Sequence, residues 1–131
     1  MSFSITELDG IVMTHYSGNV SLEELKEGMT QKLQRQDISD FSCILVDTRE
    51  ATLELHPSQM NDLVDFHNSL YAKYPGRTAF LVADPMETAF VELFAVQCNR
   101  LCKSFALEEN ASSIIEIALR ARILILVSWP N

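Results

Sequence analysis

The chain has 131 residues, with 18 acidic against 10 basic side chains, so its net charge of −8 leaves no basic surface for nucleic acid or an anionic membrane. Its 47% hydrophobic content is too high for a disordered chain, and the length suits one domain, 1–131, built round one core. All the net negative charge falls in residues 1–65, which hold 12 acids and 4 bases, whereas residues 66–131 hold 6 of each.

The opening runs FSITEL and IVMTHYS alternate in polarity and flank Asp9-Gly10, a dipeptide suited to a tight hairpin turn. Ser21 followed by Glu24 is a capping box, and Leu22, Leu25, Met29 and Leu33 line one face of a helix expected over about 22–35. FSCILVD (41–47) is a short apolar run expected as a strand central to the sheet and buried on both faces. Residues 48–57 carry charges and end at Pro57, which predicts a loop. Helical spacing resumes with Met60, Leu63, Val64, His67, Leu70, Tyr71 and Tyr74, predicting a helix over about 58–74 that Pro75-Gly76 stops.

TAFLVAD (78–84) reads as the next buried strand, and Asp84, Pro85 and Glu87 together specify a helix start. Met86, Phe90, Leu93, Phe94, Gln97, Leu101 and Cys102 then form a helical stripe reaching about Lys103. SFAL (104–107) reads as a short edge strand, and a last helix is expected from about 111. The order β-β-α-β-α-β-α-β-α predicts an α/β class, three-layered or nearly so, with strands two to five parallel and the first antiparallel. In such a sheet the loops after the parallel strands gather at one edge with the helix N-termini, which is where a site is expected. Its candidates are Ser17, Gly18 and Asn19; Asp47, Thr48, Arg49 and His56; and Asp84.

The DG hairpin, the capped helix, the CILVDTRE strand end, FLVADPMETAFVELFAVQ and the FALEENASSIIEIAL ending resemble the SpoIIAA-like group of STAS domains, also called STAS/SEC14-like proteins. The likeness spans residues 3–120 or so. It implies a mixed five-stranded sheet with an N-terminal hairpin and about four helices, in a bacterial regulatory or protein-interaction domain without catalytic turnover. Members that antagonise anti-sigma factors carry an Asp-Ser-Ser-Gly-like phosphoacceptor stretch at the start of the helix after the third strand. Here that region reads HPSQMND, so the motif is missing; Ser58 holds a comparable position, where the ordinary expectation is a helix cap.

Chemistry-bearing side chains weigh against an enzyme. Cys98 and Cys102 are expected four apart on one helix, but no further pair of metal ligands accompanies them, and His15, His56 and His67 are scattered. Neither His56 nor His67 has a sequence-local Ser or Cys in an activating context. Asp47, Arg49 and Glu50 form the sharpest polar cluster, read either as an anion or partner contact or as the solvated charges ending a buried strand. No cofactor and no metal are expected. The start MSFSITELDG is polar and acidic and shows no secretory pattern, so the cytoplasm is the expected compartment.

The ending ARILILVSWPN (121–131) is an apolar extension too short and too charged nearby to span a membrane. It is expected to pack on its own domain or on a second copy, so that removing 121–131 alters solubility or assembly size. The partner implied is another protein or a second copy of the chain, as a homodimer. The alternative is a small apolar ligand, such as a lipid, held between sheet and helices as the SEC14-like part of the resemblance suggests.

Overall fold

The computed structural model describes residues 3–8, 10–33, 43–72, 77–83, 85–98 and 102–106. Strands β1 (Phe3–Leu8) and β2 (Ile11–Ser21) form the hairpin, with Gly10 at φ 77° in its turn, a conformation that glycine adopts without steric cost. Helix α1 (Leu22–Leu33) follows, then β3 (Cys43–Glu54), a 3-10 turn (Pro57–Gln59), α2 (Met60–Leu70), β4 (Arg77–Val82), α3 (Pro85–Gln97) and β5 (Cys102–Ala106). The strands lie in the order in which they occur, β1-β2-β3-β4-β5, with β1 antiparallel to β2 and the other pairs parallel.

That order determines where the helices go. Three right-handed crossovers that all step the same way put α1, α2 and α3 on the same face of the sheet. Their buried side chains, among them Leu25, Met29, Leu63, Val64, Val91 and Phe94, form one cluster with Val12, Tyr16, Val20, Ile44, Val46, Phe80 and Val82 of the strands. On the reverse face Ile11, Met13, Leu45, Ala79 and Leu81 are buried too, outside that cluster. β3 is therefore central and covered on both faces, as its apolar run predicts. The helix expected from about 111, and with it a third layer, lies outside the described residues, as does the 121–131 extension.

Two expected loops are strand. β2 runs through Ser17, Gly18 and Asn19 to Ser21, and β3 runs through Thr48 and Arg49 to Glu54, because these two segments pair with each other from Ser17↔Glu50 to Ser21↔Glu54. A bulge makes this possible. His15 pairs with Asp47 and Ser17 with Glu50, so Thr48 and Arg49 together oppose Tyr16. The extra residue reverses the alternation of β3: Ile44 and Val46 face the helices before it, Ala51 and Leu53 after it, and Leu55 packs beside them just past the strand. A period-two pattern breaks at that point, inside the stretch 48–57 whose charges and Pro57 predict a loop.

Smaller corrections concern the helices. The stretch from 58 begins as a 3-10 turn, and α2 occupies only Met60–Leu70. α3 stops at Gln97, so Cys98 follows it while Cys102 opens β5, and the two cysteines do not share a helix. Of the α3 stripe, Phe94 is buried, whereas Met86 and Leu93 face solvent. The capping box forms as read: the Glu24 amide donates to Ser21 Oγ at 3.3 Å, and the Ser21 amide and hydroxyl donate to Glu24 Oε1 at 3.3 and 3.2 Å. His67 is a packed helix residue, buried edge-on against Tyr71 and Phe94 with ring centroids 4.8 and 5.1 Å away.

Candidate functional site

The bulge assembles the main polar cluster. Asp47 is 0% exposed, at the end of the part of β3 that is covered on both faces. Its carboxylate accepts the Arg49 side chain at both oxygens, Nε to Oδ1 at 2.9 Å and the terminal nitrogen to Oδ2 at 3.1 Å, together with the Arg49 amide at 3.1 Å. His15 Nδ1, brought alongside by the β2–β3 register, lies 3.1 Å from Oδ2. Burial pushes the Asp47 carboxyl up, but Arg49, through two kinds of hydrogen bond and its charge, and then His15 outweigh it, and the net shift is downward. The carboxylate is thus ionised and fully engaged. Outward from it, His15 is 29% exposed and its Nε2 lies 3.8 Å from the exposed Glu50.

The sequence candidates separate into distinct places. Asp47 and Arg49 are joined, and His15, in the sequence one of three scattered histidines, completes their cluster. Thr48 belongs to another environment, donating from Oγ1 to the Leu81 carbonyl at 3.1 Å. His56 and Ser58 sit at the 3-10 turn after β3: the Ser58 amide donates to His56 Nδ1 at 3.2 Å, Ser58 Oγ lies 2.8 Å from the same nitrogen, and the His56 amide donates to Gln59 Oε1 at 2.8 Å. The capping side chain is therefore His56 and not Ser58. This also places a hydroxyl against an imidazole. No carboxylate orients this exposed pair among the described contacts, and its nitrogen is occupied by the cap, so the arrangement serves the turn. Asp84 lies outside the described residues.

Two spaces adjoin these groups. Between sheet and helices, beside Tyr16, Met29, Phe80 and Phe94, the free volume is about 30 Å³. A groove of about 470 Å³ runs along the second half of β3, lined by Arg49 to Leu53, Leu55, Met86 and Phe90. Among the described residues, no group of three or more His, Cys, Asp or Glu is placed to hold a metal ion, and no helix is long and apolar enough to cross a membrane.

The architecture has a counterpart among solved structures. The anti-sigma factor antagonist SpoIIAA in its unphosphorylated form superposes with a TM-score of 0.55 over 92% of this chain and 97% of its own, at 12% identity. The chain has the SpoIIAA-like fold. An uncharacterised protein from Shewanella loihica PV-4, itself described as having a SpoIIAA-like fold, aligns over 79% of this chain and 83% of its own at 17% identity with a TM-score of 0.49. No family model and no curated protein matches the sequence. At 12% identity the likeness to SpoIIAA carries the fold and leaves function to the residues.

Proposed function

We propose that this chain is a non-enzymatic regulatory domain of SpoIIAA-like type, cytoplasmic, that acts by binding another protein and lacks the usual phosphoacceptor motif. The observation that carries the reading is the outer side of α3, where Met86, Leu93 and Val96 are 82, 54 and 83% exposed. A helix apolar on its outer side as well as its inner one has a second surface to cover, and such rows on folded domains are typical of protein contacts. The fold supports it, since SpoIIAA, a solved structure with this fold, is named an anti-sigma factor antagonist. The interior supports it as well. A void of about 30 Å³ is room for two or three waters, at roughly 10–15 Å³ each, which speaks against an acyl chain between sheet and helices.

The site chemistry agrees. Asp47 spends its acceptors on Arg49 and His15, and the His56–Ser58 pair is held in a cap, which leaves no activated nucleophile in either place. The test is native purification of the tagged protein from its host, followed by native mass spectrometry, for the parent and for the Leu93→Asp/Val96→Asp variant. A protein partner present with the parent and absent from the equally folded variant is the expected result. A parent that emerges alone, or with a small molecule in place of a protein, would overturn the reading.

A further inference from the structure

The pairing of β3 is lopsided. On one side it pairs with β2 as far as Glu54, but on the other its ladder with β4 ends at Asp47↔Leu81. Beyond that point the groove opens, and among the described residues no backbone–backbone hydrogen bond outside the regular helices and strands involves residues 49–54, the Arg49 amide being taken by the Asp47 carboxylate. An exposed strand edge of this length presents a row of amides and carbonyls at the β repeat, a pattern that another extended backbone satisfies and a small molecule does not. The groove's 470 Å³ lies within the roughly 300–1000 Å³ usual for binding sites.

We propose that the open edge of β3, from Arg49 to Glu54, receives an extended strand from a protein partner, one in which apolar and basic residues alternate. This rests on the protein-binding reading and names its mode. The bulge sets the alternation: Leu53 on the helix side, followed by Leu55, meets Phe90 and Met86 across the groove, so an added strand lays apolar side chains there. On the reverse side Glu50, Thr52 and Glu54 are exposed, and the side chains that would stand beside them are cationic. A second copy is the poorer occupant, because it brings a net charge of −8 and its own Glu50 and Glu54 to the same edge.

The test uses the full chain, isotope-labelled, with an acetylated peptide alternating lysine and valine and an isomer of the same composition arranged in two blocks. Expected are slowed amide exchange at 49–54 with the alternating peptide alone, about tenfold weaker binding to Glu50→Lys/Glu54→Lys, and a preference of that variant for an alternating glutamate and valine peptide. Met86→Ser, at a largely exposed position, should weaken binding without touching the fold, which covers the case of a charge variant that folds poorly. Equal binding of both isomers would show attraction to net charge only, and protection elsewhere than 49–54 would place the strand on another surface; either overturns the proposal. If partner capture through Leu93 and Val96 persists while the edge stays unprotected, the edge falls and the protein-binding reading stands. If capture fails altogether, that reading falls.

Discussion

Asp47 keeps its charge in a place that would otherwise neutralise it, because Arg49 grips both carboxylate oxygens and His15 stands against one of them. Removing the charge by Asp47→Asn leaves a guanidinium nearly enclosed and facing an amide, which should cost about 3 kcal/mol in chemical denaturation. The sign of the pH effect follows from the depressed carboxyl. Asp47 contributes stability in full above its unfolded value near 4 and loses it as pH falls through the lower folded value. The parent should therefore lose stability more steeply than Asp47→Asn below about pH 4, measured by urea midpoints across that range. Equal slopes would mean that the cluster is not what acid dismantles.

Two glycines test different physics. Gly28 lies against the Tyr16 phenol, whose hydroxyl donates to the Leu25 carbonyl at 3.3 Å, and a Cβ there would overlap the phenol oxygen. Burial, and then the Glu24 charge, push the Tyr16 phenol far up, so it stays a neutral donor. Gly28→Ala should lower stability by about 1–2 kcal/mol, the overpacking cost exceeding the gain in helix propensity, and Tyr16→Phe should return part of the loss in the double variant. Gly18 has open space around it but sits at φ 71° inside β2, so Gly18→Ala should cost about 1 kcal/mol through backbone conformation alone. Thermal unfolding of the single and double variants distinguishes the two causes.

At the scale of elements, what could be read from the sequence was whatever local chemistry specifies. Ser21 and Glu24 announce α1 because a capping box is closed within four residues, and Ser21→Ala should cost about 1 kcal/mol in the same unfolding assay. The β1–β2 turn, the central β3 and the proline start of α3 are local in the same sense. The second half of β3 is not: TREATLE becomes strand only because Ser17–Ser21 lies beside it, and the bulge that joins them changes which residues point inward. His15 was missed for a related reason. It stands 32 residues from Asp47, and only the parallel register, which no pattern within either strand reveals, makes them neighbours. Likewise His56, read as a loop residue, takes the capping role expected of Ser58 because it comes first in the turn.

At the scale of the whole molecule, the large apolar side chains exposed among the described residues all lie on one helix. α3 contributes Val91 and Phe94 to the core and still displays Leu93 and Val96. Leu93→Asp/Val96→Asp should leave the unfolding midpoint nearly unchanged, since neither side chain is buried, while raising the concentration the protein tolerates before self-association. Light scattering against concentration reads this directly, and a large fall in midpoint would show instead that the row belongs to the fold.

The sequential strand order also has a bearing on how the protein comes into being. Each strand is laid at the growing margin of the sheet, beside the one made just before it, and none is inserted between two already paired. During synthesis the N-terminal hairpin can therefore serve as a template on which each later unit docks in turn, each step closing one crossover. The contact between Asp47 and His15 lies wholly within β2 and β3, so it needs neither β4 nor β5 to be docked.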